Sequence, residues 1–322
     1  MRSRFTSSNN YLTAMKSPSR ALRAGSRGST LALQQTQMVI DLLRAVYPAL
    51  QIDLQIIKTT GDHIQHTPLA KIGGKGLFTK ELEQALYARQ IDFAVHSLKD
   101  LPVELPPNLG IAAYITRERP NDVLISPAHL SLKDLPKHAT IATGSLRRKF
   151  QLLRYRADLQ IVDVRGNLET RIAKLSKHGW NGLILAYAGL KRLGKTDLIS
   201  EIIPEDILYP AVGQGIIAVE CRDDPALHDL FAAINDPATE TCALAERAYL
   251  RGLGGGCQIP AGIMSRVNGD TLHLSGIYLP DEGAHHLTHT LDWKVTQPEV
   301  AGSALADHIL HAYKETKHDA NG

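Results

Sequence analysis

Apolar and polar positions follow a regular order from Ala21 onward. Ala21–Ala24 reads as a short strand. Ser29 stands where a helix cap belongs, ahead of an apolar stripe at Leu31, Met38, Val39, Leu42, Leu43 and Val46, with Gln35 as a gap in it. Ile52, Leu54 and Ile56 alternate with the period of a strand. Leu77, Phe78, Leu82, Ala85 and Leu86 form a second helical stripe, and Phe93–His96 reads as another strand. The order β-α-β-α-β then recurs: strand Thr140–Thr143, helix Ser145–Arg154, strand Ile161–Val164, helix Leu168–His178 and strand Leu183–Ala186. Such alternation predicts two parallel or mixed sheets flanked by helices, with ligands at the carboxyl ends of the strands. The last part differs. Val267, Leu272 and Leu274 flank Asn268-Gly269, a hairpin turn. A polar turn at Pro280–Gly283 leads to a strand around Leu291–Val295, and Pro298 opens a helix through Tyr313. This predicts a small α+β domain, with a boundary near Asn235–Thr239, where Asn-Asp-Pro breaks the pattern.

Composition narrows the class. The chain has 322 residues, 43% hydrophobic and 21% charged, which is ordinary globular usage and excludes wholesale disorder, collagen-like and coiled-coil readings. No stretch approaches the roughly 20 apolar residues of a spanning helix, so a membrane partner is not expected. The three cysteines, Cys221, Cys242 and Cys257, include no close pair. That excludes a disulfide framework and a multi-cysteine zinc site, and fits a reducing, cytoplasmic setting. The histidines show no metal-ligand spacing, so no metal is expected. Residues 1–20 are set aside as an extension, read as a tail, a weak transit peptide or a leader before a start at Met15.

The net charge of +3 says little, but its distribution says more. Between residues 140 and 199 twelve basic side chains face only Asp158, Asp163, Glu169 and Asp197, while residues 201–240 carry nine acids against Arg222. A basic segment in a nearly neutral chain suits a polyanionic ligand, or equally a solvated surface.

Four strand ends carry polar clusters: Gly25-Ser26-Arg27-Gly28-Ser29, His96-Ser97-Leu98-Lys99-Asp100, Thr143-Gly144-Ser145-Leu146-Arg147-Arg148, and Arg165-Gly166-Asn167 followed by Arg171. Unpaired N–H groups at helix starts bind anions, and arginine adds a planar fork for carboxylates. Together the corners suggest a multi-anion cleft. Lys71-Ile72-Gly73-Gly74-Lys75-Gly76-Leu77-Phe78 lacks the spacing of a phosphate-binding loop and reads as a mobile loop or a plain connection. Asp100 reads either as a carboxylate that stabilises a developing cation or as a cap of its own turn. Cys221 and Cys242 sit in or beside apolar runs as core thiols. Cys257 follows three glycines, which suits a reactive thiol and an inert one alike.

Taken together, Arg27–Leu33, Gly73–Glu83, Asp92–Pro102, Thr143–Lys149, Val164–Arg171, Leu190–Gly194, Pro210–Glu220 and Gly254–Pro260 resemble the porphobilinogen deaminase (hydroxymethylbilane synthase) family. The resemblance implies two α/β domains like those of type II periplasmic binding proteins and a small C-terminal α+β domain. It implies a first domain of residues 21–115 and 216–234, a second of 116–215, and a third of 235–322. It implies a transferase of haem biosynthesis that condenses four porphobilinogen molecules with loss of ammonia. It also implies one dipyrromethane cofactor, held by a thioether to Cys257 and built from the substrate. By the same match Asp100 is the catalytic acid. Lys99, Thr143, Ser145, Arg147, Arg148, Arg165 and Gln214 are cofactor binders. Arg27, Ser29, Ser97, Arg171 and Arg192, with Lys71, Lys75 and Phe78 of the glycine-rich loop, are substrate binders. A cytoplasmic monomer is expected. The competing reading is a two-lobed binding protein for a small polyanion without catalysis, which leaves Cys257 unexplained. A nucleic-acid partner is not expected, because aromatic residues are only 5%.

Overall fold

The structure, a computed structural model, describes residues 20–60, 79–256 and 259–319. Lys71, Lys75, Phe78, Leu77 and Cys257 therefore lie outside the described residues. The first sheet comprises β1 (Leu22–Ser26), β2 (Ile52–Ile56), β3 (Phe93–Ser97), β4 (Leu109–Ile115) and β10 (Ile217–Arg222), in the order β2-β1-β3-β10-β4. The second comprises β5 (Asp122–Ile125), β6 (Thr140–Ala142), β7 (Gln160–Val162), β8 (Gly182–Ala186) and β9 (Glu201–Ile202), in the order β7-β6-β8-β5-β9. In each, three strands run parallel and the fourth runs antiparallel to both of its neighbours. This is the type II periplasmic-binding-protein-like arrangement, present twice.

The antiparallel strand of the first sheet arrives only after the second sheet is complete, so the chain crosses between lobes twice, at 116–121 and 203–216. Five of the six β10 residues are buried. An apolar run such as Ile216-Ile217-Ala218-Val219 suits a strand covered on both faces. Helices α1 (Thr30–Val46) and α2 (Lys80–Tyr87) flank the first sheet; α3 (Leu146–Tyr155), α4 (Leu168–His178) and α5 (Tyr187–Arg192) belong to the second. Asp224 and Asp236 cap α6 (Pro225–Ala232) and α7 (Pro237–Gly252), each with proline in its first turn. The Asn-Asp-Pro break is thus a helix start. The third domain is an antiparallel sheet of β11 (Ala261–Asn268), β12 (Thr271–Tyr278) and β13 (Leu287–Lys294), covered by α7 and α8 (Pro298–Asp319).

The pattern is corrected in two places. The chain between Asp100 and Thr140, where no strand was expected, contributes β4 and β5. On α1 the buried face is Ala32, Gln35, Thr36, Val39, Ile40 and Leu43, while Leu42 and Val46 are 39% and 47% exposed. The face is turned by about one residue because small Ala32 and Thr36 lie toward the sheet and Gln35 is held by Ser97. Arg20, counted with the extension, pairs with buried Asp92 at 2.6 Å.

Candidate functional site

At the end of β3 the chain makes one 3₁₀ turn, Leu98–Asp100. Leu98 is buried and anchors it, which leaves Lys99 half-buried and Asp100 exposed. Among the described residues no hydrogen bond holds the Asp100 carboxylate. Ser97 exchanges hydrogen bonds with the Gln35 amide, receiving one from Nε2 at 2.8 Å and donating to Oε1 at 3.2 Å. Lys99 Nζ donates to Gln214 Oε1 at 3.4 Å. Arg27 and Ser29 lie at the same end of the sheet, because β1 and β3 are parallel neighbours. Ser29 Oγ accepts from Ala32 N at 3.3 Å, so the serine caps α1 as expected.

The second lobe repeats this corner with two arginines at its helix start. Thr143 is buried, and its Oγ1 accepts from Ser145 N at 3.3 Å; Ser145 Oγ caps α3 by accepting from Arg148 N at 3.4 Å. Gly144 passes so close to the next strand's end that a Cβ would lie 2.8 Å from Asp163 Oδ1 and 2.9 Å from Val164 O. A side chain there would force the two strand ends apart. Arg147 and Arg148 point inward and share one carboxylate. Arg147 Nη2 lies 2.7 Å from Asp122 Oδ2, and Arg148 Nη2 lies 2.7 Å from Asp122 Oδ1. Gln214 Nε2 adds a donor to Oδ1 at 2.8 Å. Arg147 Nη1 also donates to Tyr209 O, and Arg148 Nη1 to Ile184 O at 3.0 Å.

Asp122 is the residue the sequence reading missed. It lies outside the basic segment and opens a four-residue strand that the pattern did not suggest. An Asn-Asp pair ahead of Val123-Leu124-Ile125 was the available signal. The acid that pairs with these arginines thus comes from outside the basic segment, in which cations outnumber acids. Two guanidiniums on one carboxylate still leave one positive charge. Burial alone would raise the Asp122 carboxyl, but Arg147 and Arg148 hold it well below the usual carboxylate range.

The remaining cations converge in part. Arg165 lies 3.4 Å from Asp163, Arg171 Nε donates to Gly166 O at 2.8 Å, and Arg192 Nη2 donates to Gly215 O at 2.6 Å. Burial depresses the Lys99 ammonium to about 8; Asp100 opposes the shift and Arg148 adds to it. Burial likewise depresses Arg171, again with Arg148 adding to the shift and Asp100 opposing it. Gln214 joins the two corners in space, accepting from Lys99 beside Asp100 and donating to Asp122. Arg192 stands apart, at the crossover, where burial lowers it to about 10 and Glu118 is the opposing charge.

A polycarboxylate group fits these donors. Arg148 Nε and Arg192 Nε are buried N–H groups without an acceptor among the described residues, and the depressed cations would gain from one. Neither buried thiol suits covalent attachment: Cys221 is fully buried and pushed up to about 12, and burial also raises Cys242. Among the described residues no group of three or more His, Cys, Asp or Glu could hold a metal, and no helix is long and apolar enough to cross a membrane.

Residues 22–229 match the family model described as "Porphobilinogen deaminase, dipyromethane cofactor binding domain", and residues 240–311 match "Porphobilinogen deaminase, C-terminal domain". The chain belongs to the porphobilinogen deaminase family. Among its relatives in that family, the porphobilinogen deaminase of Syntrophomonas wolfei is 48% identical over 90% of this chain and 95% of its own. That of Carboxydothermus hydrogenoformans is 46% identical over 92% and 97%. The family's cofactor domain spans both β-sheet lobes up to α6, so the arginine helix and the Asp100 turn lie within it.

Proposed function

We propose that the cleft between the two lobes carries out the family's reaction, with Asp100 as its catalytic carboxylate. Four porphobilinogen molecules are joined head to tail. In each step the C–N bond of the substrate's aminomethyl group breaks and its nitrogen leaves as ammonia, the retained methylene carbon bonds to the free α-carbon of the chain's last pyrrole, and that α-carbon gives up its proton. Departure of the amino group needs a proton and leaves positive charge on the pyrrole. A preorganised carboxylate beside the pyrrole nitrogen stabilises that charge in the transition state. Asp100 suits the task because its carboxylate is exposed and, among the described residues, not spent on a structural pair.

Each pyrrole carries an acetate and a propionate, so the product is a polyanion. Lys99, Thr143, Ser145, Arg147, Arg148, Arg165 and Gln214 hold the dipyrromethane, which when bound supplies the covalent primer to which new pyrroles are added, and Lys99, Arg147, Arg148 and Arg165 also meet carboxylates of the bound substrate. Arg27, Ser29, Ser97, Arg171 and Arg192, with Lys71, Lys75 and Phe78, receive the incoming substrate. Cys257 carries the thioether. The two other thiols are buried, where a tetra-anionic adduct would be desolvated. The domain bounds are 21–115 with 216–234, 116–215 and 235–322. The enzyme works as a cytoplasmic monomer without nucleic-acid or membrane partners.

The observation that carries this reading is the Gln214 bridge, which accepts from Lys99, the neighbour of Asp100, and donates to Asp122 between Arg147 and Arg148. Intact mass tests the attachment. The purified protein is expected to exceed its chain mass by two pyrrole units, located on the peptide containing Cys257. The Cys257→Ser variant is expected to fold, lack the excess and form no tetrapyrrole. An adduct on Cys242, or full activity of the serine variant, overturns the assignment.

A further inference from the structure

The arginine helix packs against the third domain along the stripe that carries Arg147. The turn Asp281–Gly283 lies between β12 and β13, and Phe150 of α3 is seated on Gly283. A Cβ at Gly283 would lie 2.8 Å from Phe150 Cγ and 2.9 Å from its Cβ, and the glycine φ is +87°. Phe150 is buried and packs with Ile277, Leu279 and Tyr209. Tyr209 carries the link further. Its hydroxyl lies 3.2 Å from Ser275 Oγ of β12, and its backbone N–H donates to Gln151 Oε1 at 2.8 Å. Its carbonyl accepts from Arg147 Nη1. Arg154, in the last turn of α3, contacts His286 beyond the same loop. Arg147, Phe150, Gln151 and Arg154 form one stripe of α3, so the face that carries Arg147 to Asp122 also meets Tyr209 through Gln151 and the third domain through Phe150 and Arg154.

We propose that the 281–283 turn and Ser275 of the third domain are positioning elements for Arg147 and Arg148, with Gly283 as the seat that sets the helix. This rests on the reading that these arginines hold carboxylates. In close-packed contacts a displaced ring moves the element that bears it. A shift of α3 at Phe150 is passed one turn back to Arg147 and to the Tyr209 carbonyl. Asp100 sits on the other lobe and is untouched, so anion capture weakens while the chemical step is spared.

The test uses the holoenzyme with steady-state porphobilinogen kinetics. Gly283→Ala is expected to raise KM by roughly three- to tenfold, a coupling normal for residues in contact, with kcat nearly unchanged. Phe150→Leu, which frees space at the seat, is expected to restore most of the loss in the double variant. Gly269→Ala is the control, because Gly269 also has positive φ (+56°) but has nothing within 4 Å of a Cβ; its KM is expected to stay at the wild-type value. An unchanged KM in Gly283→Ala, an increase that Phe150→Leu does not reverse, or an equal increase in Gly269→Ala overturns the proposal. Should Gly283→Ala not fold, Ser275→Ala is expected to raise KM, and an unchanged KM there overturns it. Arg165→Gln separates the premise: if the arginines do not hold carboxylates, that variant leaves KM unchanged.

Discussion

Asp100 ends a three-residue turn in the first lobe and is exposed, while Asp122 opens a strand in the second lobe and is fully buried. The two lobes have the same strand order and place each aspartate at the carboxyl end of a parallel strand, Asp100 just past β3 and Asp122 opposite Ala186 of β8, yet the residues differ in burial and pairing. Asp122 is held by two arginines and a glutamine, so its charge is consumed in orienting them. Asp100 has no such holders among the described residues, and its charge remains available to something that enters. A carboxylate that builds a site and a carboxylate that acts in it are told apart by pairing and burial, not by residue type.

The comparison breaks first at Asp122. Asp122→Ala leaves two buried guanidiniums without a counter-charge, and removing one partner of a buried ion pair costs about 3–5 kcal/mol. The expected result is a large fall in the denaturant midpoint, whereas Asp100→Ala is expected to leave that midpoint close to wild type. Equal midpoints would show that Asp122 is not the keystone of α3.

Activity is expected to answer in the opposite order. Asp100→Asn keeps the shape, removes the charge and is expected to lower kcat by about 10²–10³ with normal unfolding, as for loss of one preorganised electrostatic group. Near-normal turnover would remove Asp100 from the chemistry.

Lys99 gives a smaller effect, read by pH. Its pKa of about 8 means that it loses its charge as pH rises through that value, and an anionic ligand is held best while it is charged. KM is therefore expected to rise between about pH 7 and about pH 9, and Lys99→Arg, which stays charged, is expected to flatten that limb. The stability contribution has the opposite sign. The folded pKa lies below the ordinary 10.5, so the unfolded chain binds more protons in this window, and the contribution grows as pH rises from about 8 toward 10.5. A KM that is flat across the window in the wild type would remove Lys99 from the anion site.

The smallest effect concerns the two matched serine caps. Ser29→Ala and Ser145→Ala are each expected to cost about 1 kcal/mol in unfolding experiments, because the two cap bonds have nearly the same length. If Ser145→Ala alone also raises KM, the cap of α3 touches ligand as well as helix; equal KM values would confine both serines to capping.

Much of the fold was legible because its signals are local. The strand and helix alternation, the Ser29 cap and the extent of Leu168–His178 all depend on residues within a few positions of one another. β5 was not legible, because a four-residue strand beginning with a buried aspartate has no period of its own. The rotated face of α1 was not legible either. Leucine and valine at Leu42 and Val46 imitate a core stripe, and only the contact with β3 shows that Gln35 points inward.

The sequence by itself determined the element order, the family and the set of chemically able side chains, since motif, period and cap are properties of neighbouring residues. The tertiary structure alone decided which of those side chains are free and which are spent. Arg147 and Arg148 are 25 and 26 positions from Asp122, and Lys99 is 115 from Gln214. Pairing across such separations is set by the return of β10 to the first sheet and by the packing of α3 against Asp122 and the third domain. Burial then fixes its consequence, because a charge removed from water needs a partner, and the partner's position is a fact of packing that no local pattern carries.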